Sequence, residues 1–220
     1  MIRSHSGTQE AGLQLAVHAN GDRTQLEVCR ALAAIDHGIN GRPRIRVEHA
    51  RNFMPDFAAL SSAWREADII PVPQPVFIYT FGEFIPHYVG EYARDKQFPQ
   101  RSLLDDGWRI SGSSDVWVGG EIGQTNPFLS IASCVERRTY HGHELSPDQR
   151  ISVYEALRMH TLDAAYAMGV EQTPGSLEVG KFTDILALQR NSLKTPATEL
   201  DSIAVREVFL GGRRVHSSTT

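Results

Sequence analysis

Short apolar runs alternate with stretches of helical spacing over the first part of the chain. Residues 13–20, LQLAVHAN, are apolar and turn polar at their end, as in a strand buried on both faces. From Thr24, the positions Leu26, Val28, Cys29, Leu32, Ala33 and Ile35 recur at helical spacing, and His37-Gly38-Ile39-Asn40-Gly41 supplies a stop. Residues 44–50, RIRVEHA, predict a second strand. A second helix is expected from Pro55 to Ala67, with Pro55 early, where a missing N–H costs nothing. Residues 68–78, DIIPVPQPVFI, predict a third strand. Pro71, Pro73 and Pro75 cannot donate to a ladder, so the chain must leave the sheet early.

The pattern then loosens. Residues 79–100 are aromatic and irregular, an excursion with short helical turns. Arg101 to Asp106 predicts a short helix ended by Gly107, and residues 108–115, WRISGSSD, a fourth strand. Ser146-Pro147-Asp148-Gln149 has a serine cap, a first-turn proline and a glutamine three on, which predicts a helix start. That helix should run through residues 154–169, YEALRMHTLDAAYAMG, and stop at Gly169. Residues 183–189 and 205–215 read as strands with no helix between them, and Gly211-Gly212 marks a hairpin. Strand–helix alternation followed by a strand-only tail implies an α/β barrel or open sheet with a small β appendage. Four strands are too few to close an eight-stranded barrel.

Composition narrows the function classes. A chain of 220 residues, 41% hydrophobic and 22% charged, has ample material for a core. The net charge of −4 lacks the basic footprint of a nucleic-acid binder. No apolar run is long enough to span a bilayer, and the first residues lack the core of a secretory signal, which predicts a soluble cytoplasmic protein without membrane partners. Cys29 and Cys134 each sit in an apolar helical pattern and read as buried reduced thiols.

Chemistry concentrates at the strand ends. His18 closes the first strand, His49 the second and Asp115 the fourth. In parallel α/β folds the loops after the strand carboxyl ends converge, and sites assemble there. Imidazole and carboxylate are ligands for Zn²⁺ and similar ions, and three such groups leave a position open for water. A divalent ion makes that water more acidic, and a nearby aspartate can carry its proton to a leaving amine. Each residue alone fits a core histidine or a turn aspartate as well; the joint pattern is specific.

The sequence resembles amidohydrolase family 3 of the amidohydrolase superfamily, the branch that includes YtcJ-like proteins and N-substituted formamide deformylases. The matching stretches are VHANGD (17–22), RIRVEHA (44–50), PQP (73–75), SGSSDVWV (111–118), EALRMHTLDAAYAMG (155–169), GSLEVGKFTDILAL (175–188) and VREVFLGGRRV (205–215). The resemblance implies the second half of a metal-dependent (β/α)8 TIM-type barrel over residues 1–170. Carboxyl-terminal strands of a small β-sandwich would follow over 171–220. It implies that His18 and His49 are the metal ligands of barrel strands five and six. Asp115 would be the strand-eight aspartate that contacts metal and shuttles the proton. Gln74, near the end of strand seven, would face substrate, and Asp22 would orient the loop after His18. The implied activity is metal-dependent hydrolysis of a C–N, non-peptide amide-type bond in a small molecule, with Zn²⁺ favoured and Fe, Mn and Co also acceptable.

The same resemblance implies missing parts. The family's His-x-His pair of strand one and its strand-four ligand have no counterpart, because residue 1 corresponds to a point just before strand five. The chain then reads as a fragment, as one half of a split enzyme paired with a complementing amino-terminal half or a second copy, or as a non-catalytic remnant. His141-Gly142-His143 could replace the pair only from a polar loop, and reads better as a solvated segment. Gly175 to Lys181 has the glycine and lysine spacing of a phosphate loop. Phe182 stands where Ser or Thr is needed, however, and a strand rather than a helix follows, so it reads as a turn.

Overall fold

The computed structural model describes residues 7–8, 10–34, 43–50, 52–116 and 123–218. The helix stop expected at residues 37–41 and the end of the SGSSDVWV stretch lie outside these residues. The first sheet is parallel, with strands β1 (Ala16–His18), β2 (Arg46–Glu48) and β3 (Ile70–Val72) side by side in chain order. Helix α1 (Asp22–Leu32) joins β1 to β2, and α2 (Phe57–Glu66) joins β2 to β3. The expected elements are present and the strands are shorter than predicted. Pro55 lies before the helix cap rather than in the first turn, because the Asp56 side chain accepts from the Ala59 N–H.

Pro71 and Pro73 shorten β3 and also close its outer edge. The Ile70 N–H donates to the Ile45 carbonyl at 2.9 Å, so residues 70 and 72 face β2 and residues 71 and 73 face away. Both outward positions are prolines, and a strand laid beside them finds no donors there. Residues 108–115 form no strand. They run extended, with the Gly112 N–H donating to the Met159 carbonyl at 2.8 Å, and the fourth-strand expectation is corrected.

The excursion after β3 contains α3 (Phe77–Thr80), α4 (Ile85–Val89) and a 3-10 turn at Glu91–Ala93, before α5 (Gln100–Asp105). Arg137, wholly buried, ties this excursion down by donating to the carbonyls of Gln97, Phe98 and Leu145 and to the Gln100 side chain. Burial lowers the guanidinium pKa to about 10, so it keeps its charge at neutral pH. Helix α6 (Pro127–Glu136) is buried from Phe128 to Cys134, with Asn126 as its cap and Pro127 in the first turn.

The long helix expected from Ser146 is broken. Pro147–Gln149 is a single 3-10 turn, and the helix begins only at α7 (Val153–Met159). There Ser152 and Glu155 form a reciprocal capping box. Thr161 interrupts the helix before α8 (Leu162–Ala167), and Gly169, at φ 72°, follows.

The tail is a three-stranded antiparallel sheet of β4 (Ile185–Leu188), β5 (Val205–Leu210) and β6 (Arg213–Ser217). Gly211 and Gly212, at φ 56° and 79°, make the expected hairpin turn. Residues 175–181 form a turn in which the Lys181 ammonium donates to the Glu171 carbonyl and the Ser176 hydroxyl. The main core gathers Ile45, Val47, Leu60, Trp64, Leu103, Ile110 and Ile131 between the parallel sheet and the later helices. Cys29 and Cys134 are free and buried in it, and burial pushes their thiols up to about 11 and about 12. No helix among the described residues is long and apolar enough to cross a membrane.

Candidate metal centre

The carboxyl ends of β1 and β2 lie side by side, because His18 is in register with Glu48 and His49 follows at once. Their imidazole rings meet edge to face, with centroids 4.4 Å apart. The extended segment 108–115 brings Asp115 to the same place, with its Oδ2 3.9 Å from His49 Nε2. All three side chains line one cavity of about 540 Å³. The three residues singled out from strand ends are thus together in space.

Backbone strain marks the same spot. His49 has φ 63° and Asp115 has φ 47°, the left-handed region that costs a non-glycine residue about 1–2 kcal/mol. Phe98, also on the cavity wall, has φ 47°. Such outliers persist where the surroundings over-determine them. Asn52 does so for His49. Its N–H donates to the His49 carbonyl, and its side chain makes two bonds to Gln74: Nδ2 to Oε1 at 2.7 Å, and Oδ1 from the Gln74 N–H at 3.0 Å. The Asn52 carbonyl accepts from the Phe98 N–H, so one residue, by its backbone and its side chain, links the His49 turn, the end of β3 and the return of the aromatic excursion. For Asp115 the support is Gln124, whose Nε2 donates to the Ser114 and Asp115 carbonyls.

Gln74 itself is buried behind Asn52 and is not on the cavity wall; Asn52 is. The sequence reading missed Asn52 and Gln124. Asn52 carried one signal, an asparagine three residues after a strand-end histidine, where side-chain-stabilised turns are common. His141 and His143 do not reach the cavity. Both imidazoles rest on the Glu83 carboxylate, which also accepts from the Thr139 hydroxyl at 2.9 Å. Burial alone would raise the Glu83 carboxyl; the bonds from His141 and Thr139 outweigh it and hold the group below its usual range.

The electrostatics suit a ligand role for His49. Burial pushes its pKa below the ordinary histidine value, against the opposing pull of the Asp115 carboxylate, so the ring is neutral at neutral pH. Neutral imidazole is the form that binds metals. Glu48, next in line, is raised by burial, partly offset by Arg46 at 3.2 Å.

The donor types therefore fit a divalent cation, whereas the spacing is open. Two donors on one tetrahedral ion sit about 3.3 Å apart at ordinary ligand lengths, less than the 3.9 Å between His49 and Asp115. Among the described residues no three His, Cys, Asp or Glu side chains close to ligand distance. The arrangement is a half-gathered donor set at the polar end of an aromatic cavity.

Comparison with known proteins bears on the family of the chain. The chain is 32% identical over 204 residues to N-substituted formamide deformylase of Arthrobacter pascens, covering 91% of this chain and 36% of that protein. It is 30% identical over 212 residues to Protein LONG AFTER FAR-RED 3 of Arabidopsis thaliana, covering 94% and 35%. The chain spans about a third of the length of these relatives. An amidohydrolase structure from Thermotoga maritima superposes with a TM-score of 0.66 at 18% identity, over 96% of this chain and 46% of the other. The sequence model of the amidohydrolase family matches residues 6–216, and the chain belongs to that family, in its family 3 branch.

Proposed function

We propose that this chain supplies the His18, His49 and Asp115 side of the active site of a metal-dependent amidohydrolase. Its substrate class would be small molecules with a C–N, non-peptide amide-type bond. The observation that carries the reading is the convergence of these three residues, from three separate segments, at one end of one cavity. The name of the Arthrobacter relative, a deformylase of N-substituted formamides, supports the bond type. In this reading residues 1–170 are the later half of a (β/α)8 barrel and residues 171–220 part of a β-sandwich, in a cytoplasmic enzyme.

A bound divalent ion, zinc first, would activate water and polarise the scissile carbonyl. His18 and His49 would hold it, His49 being kept neutral by burial. Asp115 would accept the water's proton at a carboxylate oxygen and return it to the departing nitrogen. Asn52 and Gln74 would keep the His49 turn in its strained form while this happens.

The 3.9 Å gap favours a second reading, in which the set closes only when another chain, an amino-terminal half or a second copy, adds its ligands. Metal analysis of protein purified without chelator tests both. Near-stoichiometric zinc in the wild type, lost in His18→Ala and Asp115→Ala, is expected if the set closes by itself. A folded wild type that binds no zinc when zinc is supplied would overturn that reading. Zinc gained only with the amino-terminal half of a relative would establish the second.

A further inference from the structure

The cavity has two unlike ends. At one lie His18, Asn20, His49, Asn52 and Asp115; the rest of the wall is aromatic and aliphatic. The change is abrupt. The Phe77 ring lies nearly parallel to His49, at 14° and 6.5 Å, and Phe81 meets Phe77 edge to face at 4.8 Å. Two phenylalanine rings thus follow in a row from a metal-type histidine. Facing them, α4 and the residue before it present Phe84, Tyr88 and Val89.

These last side chains are not spent on holding the excursion together. Ile78, Phe98 and Leu145 form its core, with Phe77 and Ile85 packed against them, and Arg137 ties down its return. Phe84, Tyr88 and Val89 stay exposed, at 42%, 80% and 43%. Open apolar surface is binding surface, and here it shares one cavity with a polar site, which fits a small molecule that has both parts.

We infer that the site takes neutral amides bearing an aryl or extended alkyl arm, and that Phe81, Phe84 and Tyr88 grip that arm while the amide lies at His18, His49 and Asp115. The inference rests on the hydrolase reading for the amide end. The arm's preference stands on the wall alone. A substrate anchored at the histidines has Phe77 and Phe81 beside its substituent, because that row begins next to His49. Burying a phenyl or pentyl group there removes enough apolar area to tighten binding by about tenfold to a hundredfold.

Calorimetric titration of the full chain with acetamide, hexanamide and phenylacetamide, with and without zinc, tests this. Hexanamide and phenylacetamide should bind at least about tenfold tighter than acetamide. Phe84→Ala and Tyr88→Ala, both at exposed positions where folding is little affected, should remove most of that preference. Phe182→Ala, at an exposed phenylalanine off the cavity, should leave it intact. Equal affinities for the three amides would overturn the inference. So would cavity variants that bind like wild type, or a Phe182 variant that loses as much. Ammonia release, measured separately, keeps the two readings apart. Selective binding without release leaves the arm site standing and removes the hydrolase reading from this chain. Release from all three amides with equal affinities does the reverse.

Discussion

Gly112 has no side chain because the His160 ring fills the space: a Cβ there would stand 2.5 Å from the ring's Cε1. The ring's Nε2 is 3.0 Å from the Ser130 hydroxyl, and burial lowers its pKa from 6.5 to about 4. The folded chain thus resists protonation that the unfolded chain accepts. With the folded value depressed, stability is fully present above pH 6.5 and falls as pH drops toward 4, flattening below. A shift of that size costs up to about 3 kcal/mol across the window. Urea unfolding of wild type and His160→Asn at pH 7 and near pH 4 should show the wild type losing more, by up to that amount. Parallel loss in both would mean the ring is solvated in the folded state. The contrast with His18 and His49 shows what a sequence can reveal about a residue. Those two end apolar runs, where a polar group needs a reason. His160 sits amid helical spacing, and its place against Gly112 appears only once two distant segments are folded together. Asn52 and Gln74 teach the same lesson. Which of two amides reaches the cavity depends on burial, which local sequence does not encode.

Elements were legible where local chemistry decided them and illegible where neighbours did. The first three strands, the two helices between them and the glycine hairpin follow from periodicity and turn residues. Segment 108–115 has the composition of a strand, yet it joins no described sheet and its Gly112 N–H goes to the Met159 carbonyl instead. Helix α6 escapes a search for amphipathic period because residues 128–134 are all buried, although Asn126-Pro127 marks its start. At α7 the sequence offers two start signals six residues apart, Ser146-Pro147 and Ser152-x-x-Glu155. The second wins because both halves of its box form: the Ser152 hydroxyl accepts from the Glu155 N–H at 3.2 Å, and the Glu155 carboxylate accepts from the Ser152 N–H at 2.7 Å. Glu155 also receives Arg101 at 3.0 Å, and together these bonds, against burial, hold its carboxyl below the usual range. Ser152→Ala should therefore destabilise the chain by about 1 kcal/mol, the ordinary worth of a cap. Thermal unfolding should show a drop of about 2–4 °C. No change in melting would mean that tertiary packing alone starts this helix.

At the scale of the molecule the two sheet edges differ. Parallel sheets are normally covered on both faces and bounded by other strands. Here β3 ends the sheet with prolines facing outward, whereas β1 ends it with an edge that can still pair. The Arg46 N–H donates to the Leu15 carbonyl and the Ala19 N–H to the Glu48 carbonyl, so residues 15, 17 and 19 face β2 and residues 16 and 18 face out. Ala16 and His18 are exposed, and no described strand lies beyond them. An open edge with free donors is a template for another strand, from a second copy or from a complementing barrel half. Alone in solution the chain should associate through β1, with sedimentation giving masses above the 24.4 kDa of one chain as concentration rises. Ala16→Pro removes an outward N–H and no bond to β2, as Pro71 does on the other edge, so it should return the mass to that of one chain while the melting temperature holds. A wild type that stays at 24.4 kDa at every concentration would mean that β1 is covered within one chain. An Ala16→Pro protein that still associates would place the contact elsewhere, with the exposed Phe84–Val89 wall the first surface to examine.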